Sequence, residues 1–129
     1  MAGFCDYSEV LQVIDGDTIV IDHDIDLDGV LERIRLVLVD APELSESGGP
    51  EAKVALSDLC LGVRALIDED SWQINGDPYG RILAVVYCGV RNANAEMILS
   101  GHANTYWQFC AESEFGTQDW TRCYFEDSP

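Results

Sequence analysis

Lysine is nearly missing from this chain. Lys53 is the only one, and with six arginines it faces 24 acids, for a formal charge of −17. So acidic a balance excludes the ordinary electrostatic route to nucleic acid, in which a Lys/Arg-rich face neutralises many phosphates. The acidity serves a specific partner, or it adapts the chain to high salt, where the Debye length shrinks to about 3 Å at 1 M and a local arginine site still works. On either reading self-repulsion should ease as salt is added, so the fold is expected to gain stability with ionic strength. Histidine is scarce too, with two residues, and none is matched to a Ser or Cys nucleophile, which makes covalent catalysis a poor fit. The five cysteines have no CxxC spacing and no His-rich neighbourhood, which argues against a zinc site. Their odd number points to free thiols in a reducing compartment, with Cys110 and Cys123 left as a pair that the tail can close. No apolar run approaches the length of a membrane span, and Asp6 and Glu9 interrupt any charged-then-apolar leader. The expected location is cytoplasmic, although a leader already removed would leave the same trace. There are no internal repeats, and 129 residues with 47% apolar content suit one domain, 1–129, with a core of its own.

What is present centres on Ile34 to Glu43, IRLVLVDAPE. Its apolar residues fall on both parities, as in a strand buried on both faces, and β-branched Ile and Val suit the pleat. Arg35 is out of place there, because a buried guanidinium needs a carboxylate or an anionic ligand for its planar fork. Pro42 ends the ladder, since it has no N–H to give. Asp40 and Glu43 therefore flank a strand exit, where acids can hold a hard cation against a bound anion. The plainer reading is a structural ion pair between Arg35 and one of these acids, and the rest of the chain has to decide.

Before this stretch, residues 8–14 and 18–21 are expected as strands around Asp15-Gly16-Asp17-Thr18, a turn in which Gly16 is free to take positive φ. Asp22 to Asp28 with Gly29 imitates the opening of an EF-hand loop, but the twelfth position is Arg35 where that loop needs an acid. It is read as a solvated hairpin tip, with an accessory cation site as the alternative and His23 as a solvated turn residue. Residues 30–39 form the expected third strand. A short loop at 44–49 leads to a helix opened by Pro50 and closed by Gly62, its apolar residues recurring at three and four. Residues 63–67 are a strand, and Asp68-Glu69-Asp70 begins an acidic, solvated connection. The turn Asn75-Gly76-Asp77-Pro78 precedes Tyr79-Gly80-Arg81 and a second doubly buried strand over 82–87, so Arg81 repeats the situation of Arg35. A second helix runs over 94–100. The order β-β-β-α-β-β-α suits a small closed barrel with helices packed on it. Seven of the twelve aromatics lie in the tail, at Tyr106, Trp107, Phe109, Phe115, Trp120, Tyr124 and Phe125. Most of them should dock the chain end, while one or two could face a nucleobase.

Collected, Asp17, Arg35, Asp40, Glu43 and Arg81 make a coherent set. Two acids can hold an oxygen-seeking cation, one can orient or deprotonate water, and two arginines can meet a phosphate. Phosphoryl chemistry needs chiefly positioning and charge neutralisation, and this set offers both.

The sequence also resembles the staphylococcal nuclease (thermonuclease) family. The resemblance runs through Ile14-Asp15-Gly16-Asp17-Thr18, Ile34 to Glu43, Gly49-Pro50-Glu51-Ala52, Asp77-Pro78-Tyr79-Gly80-Arg81 and Asn94 to Gly101, covering roughly residues 8–109, with a divergent tail over 110–129. It implies an α+β, mainly β fold: a five-stranded OB-fold barrel with two or three packed helices. It also implies a calcium-dependent endonuclease that acts on DNA and RNA, prefers single strands and leaves 3′-phosphate ends. By the same resemblance Asp17, Asp40 and the carbonyl of Ala41 would bind Ca²⁺, and Glu43 would activate water. Arg35 and Arg81 would brace the phosphate as it becomes five-coordinate, with Arg81 also aiding departure of the 5′ oxygen. Tyr79, Trp107 and Phe109 would contact the nucleotide. Ala41 stands where the family has threonine, the loop after Glu43 is short, and Pro78 replaces a familiar lysine. Affinity for long polynucleotides at low salt is accordingly expected to be weak. A monomer without membrane attachment is expected. The competing readings are a non-catalytic OB module that binds single strands through Tyr79, Trp107 and Phe109, and an acidic calcium-binding domain built on the Asp22–Asp28 run.

Overall fold

In the computed structural model the described residues are 3–25 and 27–123. Strand β1 (Cys5–Asp15) turns into β2 (Thr18–Ile21), and β2 pairs antiparallel with β3 (Arg33–Leu36). After a two-residue strand β4 (Val39–Asp40) comes helix α1 (Gly49–Cys60), followed by β5 (Arg64–Glu69) and β6 (Ile82–Cys88). β5 pairs antiparallel with both β1 and β6, and β6 meets β3 in parallel, with Ile34, Arg35 and Leu36 opposite Ile82, Leu83 and Ala84. That last pairing closes β1-β2-β3-β6-β5 into the expected five-stranded barrel. Closure removes the exposed sheet edges. Two-residue strand β7 (Arg91–Asn92), helix α2 (Ala93–Leu99) and β8 (Asn104–Thr105), which pairs with β4, complete the regular structure, followed by 3₁₀ turns at Trp107–Glu112 and Asp119–Thr121. None of the helices among the described residues is long and apolar enough to cross a membrane.

The barrel interior is filled by alternating residues of its strands, among them Val10, Ile19, Ile34, Ile67 and Val86, and is plugged by Ala52 and Leu56 of α1 and Met97 of α2. Gly16 matters for space, not for positive φ: a Cβ there would come within 2.6 Å of the Ala52 Cβ and 2.8 Å of the Ala41 Cβ. The turn before β2, the first turn of α1 and the segment after β4 thus meet at one hydrogen-sized gap.

Several expectations are corrected. The apolar run 30–39 is not one strand. It is buried throughout from Ile34 to Val39, but β3 ends at Leu36 and the backbone turns at Val37-Leu38, where Leu38 has φ 64°. A second hydrophobic cluster covers that turn, with Phe115 and Cys123 of the tail packed on Val37, Leu38 and Val85. Unbroken burial therefore reflects two layers rather than two faces of a single strand. Asp68-Glu69-Asp70 is not merely solvated. β5 runs through Glu69, whose Oε1 accepts from Phe4 N at 2.8 Å, and Asp70 is 0% exposed, accepting from the N–H groups of Trp72 and Glu114 and from Gln73 Nε2. Asp24 builds a turn, accepting from the Asp28 and Gly29 N–H groups at 3.1 and 2.8 Å. Asp26, Tyr124 and Phe125 lie outside the described residues. His23 is half-buried, edge-on to Phe4 and bonded to Ser8 Oγ. Cys60 and Cys88 are joined rather than free, Cys110 and Cys123 form the pair left open for the tail, and Cys5 is exposed as a free thiol. Cys60 ends α1 and Cys88 ends β6, so the fold brings together residues 28 apart in sequence. Spacing alone cannot reveal such a pair.

Gly16→Ala should cost about 1–3 kcal/mol, because the added methyl overpacks a three-way junction. Urea denaturation of the two proteins checks this, and an unchanged midpoint would contradict the packing described.

Candidate active site

Asp17 stands in the tight turn between β1 and β2 and is only 5% exposed. Its Oδ2 accepts from Ala41 N at 3.0 Å and lies 3.3 Å from Arg35 Nη2, while its Oδ1 accepts from Thr18 Oγ1 at 3.1 Å. The Asp17 N–H donates to Asp15 Oδ1, and the Asp17 carbonyl receives Leu36 N. Burial drives the Asp17 pKa up to about 6, the nearby Asp15 pushes the same way, and the Arg35 charge and the Ala41 N–H only partly offset this.

Arg35 enters from β3, where it is paired with Thr18 of β2 and Leu83 of β6. It is 8% exposed. Nη1 donates to the carbonyls of Val39 (2.7 Å) and Leu36 (3.3 Å), and the guanidinium lies 5.4 Å from the centre of the Tyr106 ring. Nε makes no hydrogen bond, yet no buried side-chain nitrogen or oxygen among the described residues is left unpaired. Nε–H therefore reaches solvent. In a guanidinium Nε–H shares one edge with an Nη–H, and that edge is the fork that grips an anion bidentately.

Arg81 precedes β6 and is held by Asp77 of the preceding turn. Asp77 Oδ2 accepts from Arg81 Nε at 2.6 Å, and Oδ1 accepts from the Arg81 and Tyr79 N–H groups. Arg81 Nη1 lies 3.4 Å from Thr18 Oγ1, the hydroxyl that donates to Asp17. A continuous polar chain, Arg35–Asp17–Thr18–Arg81, thus spans the barrel rim. Both guanidinium groups line one cleft of about 340 Å³, with Tyr79, Tyr106 and Phe109 as walls and Leu38 and Leu83 beneath. Arg35 is thus ion-paired with Asp17 and at the same time lines the cleft.

The other expected residues fall less neatly. Asp40 is exposed on β4 and borders, with Ala41, Glu46 and His102, a hollow that shares no lining residue with the arginine cleft. It is next in sequence to the Ala41 N–H that Asp17 accepts. Glu43 is exposed two residues further on, its N–H donating to Glu46 Oε1 at 2.7 Å, and lines neither hollow. Trp107, 38% exposed, is not part of the cleft wall; Tyr106 takes that place and meets Phe109 edge to face at 4.8 Å. Among the described residues, the group of three acids whose oxygens all lie within 4.8 Å of one another is Asp24, Asp28 and Glu32, which includes neither Asp17 nor Asp40.

Four participants went unseen in the sequence. Tyr106 is one of seven tail rings, and the sequence alone does not say which dock the chain end and which face a base. Thr18 and Asp77 looked like turn residues, though an acid four before Arg81 in a Pro-Tyr-Gly turn was a usable signal. Asn94 is buried in α2, where its Nδ2 donates to the Val37 and Ala84 carbonyls and its Oδ1 accepts from Val86 N. It fixes the turn on which Arg35 hangs.

Residues 33–121 match the family model described as staphylococcal nuclease homologue. The chain is 36% identical over 107 residues to Protein ParB of Escherichia coli, covering 76% of this chain and 56% of that protein. It is 34% identical over 107 residues to a micrococcal nuclease of Shigella flexneri, covering 76% and 57%. It is 35% identical over 100 residues to a thermonuclease of Staphylococcus intermedius, covering 73% and 56%. The chain thus aligns with little more than half the length of these relatives.

A carboxyl whose pKa rises on folding favours the protonated native state, so its contribution to stability is lost as pH climbs from about 4 through 6. In chelator, the protein should lose on the order of 2–3 kcal/mol across that window relative to Asp17→Asn. Denaturant titrations at pH 4 and pH 7 measure it, and parallel pH profiles for the two proteins would refute the burial of a charged Asp17.

Proposed function

Because the chain belongs to the staphylococcal nuclease family, we propose that it hydrolyses phosphodiester bonds as a calcium-dependent endonuclease of DNA and RNA, preferring single strands and leaving 3′-phosphate ends. The observation that carries this reading is the convergence of Arg35, from β3, and Arg81, from the turn before β6, on one aromatic-walled cleft. Mere binding of a base does not require two guanidinium groups cross-linked through Asp17 and Thr18.

Arg35 and the Nη groups of Arg81 line the cleft and would face a phosphate there. Their charge is fixed before the substrate arrives, so it stabilises negative charge growing on the equatorial oxygens without reorganisation. Arg81 also favours departure of the 5′ oxygen. Glu43, exposed and therefore able to exchange protons with solvent, takes the proton of the attacking water. Asp17, Asp40 and the Ala41 carbonyl are hard oxygen donors and suit Ca²⁺. The raised pKa of Asp17 marks a carboxylate whose charge Arg35 does not fully offset, which a cation beside it would. Bound there, the ion would supply Lewis-acid polarisation of a phosphoryl oxygen.

The protein acts as a monomer. Its two disulfides support work in an oxidising compartment rather than the reducing one expected from the odd cysteine count. A second reading, a non-catalytic module for single strands, draws on exposed Glu43 not being among the residues that line the cleft.

Cleavage of single-stranded DNA with calcium or a chelator separates the two. The parent should cut only with calcium. Arg35→Ala and Arg81→Ala should each lower kcat by about 10²–10³, and Glu43→Gln by about 10²–10⁴, without lowering the melting temperature to match. A parent that binds the strand and never cuts it would establish the module instead.

A further inference from the structure

Resting on that reading of the site, we propose that the cleft grips a single nucleotide by rings and two guanidinium groups with no basic track beyond it, so that its preferred substrates are short unpaired strands and added salt narrows the disadvantage of long ones. The cleft, about 340 Å³, is at the small end of ligand pockets. It has room for one base and its phosphate. Each guanidinium is backed by a ring, Arg35 over Tyr106 and Arg81 over Tyr79, both at 5.4 Å from the ring centre. Tyr79 is 77% exposed and Phe109 stands exposed against Tyr106, so a base can be stacked only once it is out of a duplex.

The cations of this chain all fall among the described residues, and of these Arg35 and Arg81 line the cleft. Arg33, Lys53, Arg64, Arg91 and Arg122 do not; Arg91 is committed to Glu96 at 3.5 Å and Arg64 sits over Tyr7. Two phosphate contacts on a single strand give a log–log salt slope of only about −1.4. Against that slope stands the net charge of −17, which repels every phosphate outside the cleft. The repulsion grows with strand length and fades as the Debye length falls to about 3 Å at 1 M.

The test is binding by calorimetry in chelator, with a thymidine dinucleotide and a long oligothymidine, between about 0.05 and 1 M salt. Expected are a long-strand slope shallower than about −1.4, no tighter binding of the long strand at low salt, and convergence of the two ligands at high salt. Tyr106→Leu should weaken both ligands about tenfold and Tyr106→Phe neither, since the ring and not the hydroxyl does the stacking. A slope steeper than about −3, with the long strand at least tenfold tighter at low salt, would reveal a basic track and overturn the proposal. So would indifference of both ligands to Tyr106→Leu, or failure of either to bind. The calcium arm keeps the two readings apart. A protein that binds in the expected pattern but does not cut overturns the endonuclease and leaves the single-nucleotide grip standing. One that cuts but shows the steep slope does the reverse.

Discussion

A carboxylate shut away from water organises this molecule. Asp17 would be costly to bury ionised without partners, and it collects them from three directions: the Ala41 N–H, the Thr18 hydroxyl and the Arg35 guanidinium. Each partner lies on a different piece of backbone. Satisfying one side chain therefore docks the segment after β4, fixes the start of β2 and turns Arg35 toward the rim. The arrangement needs the turn to come closer to α1 than any side chain permits, which is why Gly16 faces Ala41 and Ala52.

Arg35 is aimed a second time from behind. Its Nη1 bonds to carbonyls on either side of the Val37-Leu38 turn, so its direction is only as firm as that turn. Asn94 holds the Val37 carbonyl, Tyr106 N holds that of Leu38, and Phe115 with Cys123 seals the turn from outside. The tail is held in turn by the Cys110–Cys123 disulfide and by buried Asp70, which accepts from the Glu114 N–H. A segment with little regular structure thus does the work of a packed helix beneath the cleft.

Much of this could be read from the sequence, and the parts that could not share a cause. The barrel, both helices and the outlying status of Arg35 and Arg81 follow from local patterns: period-two burial, Pro50 opening a helix, a charge inside an apolar run. The Val37-Leu38 turn escaped because periodicity registers burial without saying what covers a residue. The Cys60–Cys88 disulfide, Asp70 and Asn94 escaped because their partners are distant in sequence, and an acidic run looks the same whether it is solvated or accepting three hydrogen bonds. Gly16 was singled out correctly for the wrong reason, as space rather than φ was the constraint. At positions 106 and 107, two adjacent rings differ only in which way the backbone turns after β8.

The most direct measurement of the central claim is a crystal structure of the protein with an uncleavable dinucleotide analogue in the presence of calcium. The account predicts the bridging phosphate within hydrogen-bonding distance of both Arg35 and Arg81, with a base against the Tyr106–Phe109 wall. A phosphate touched by only one of these guanidinium groups, or lodged elsewhere on the barrel, would contradict it.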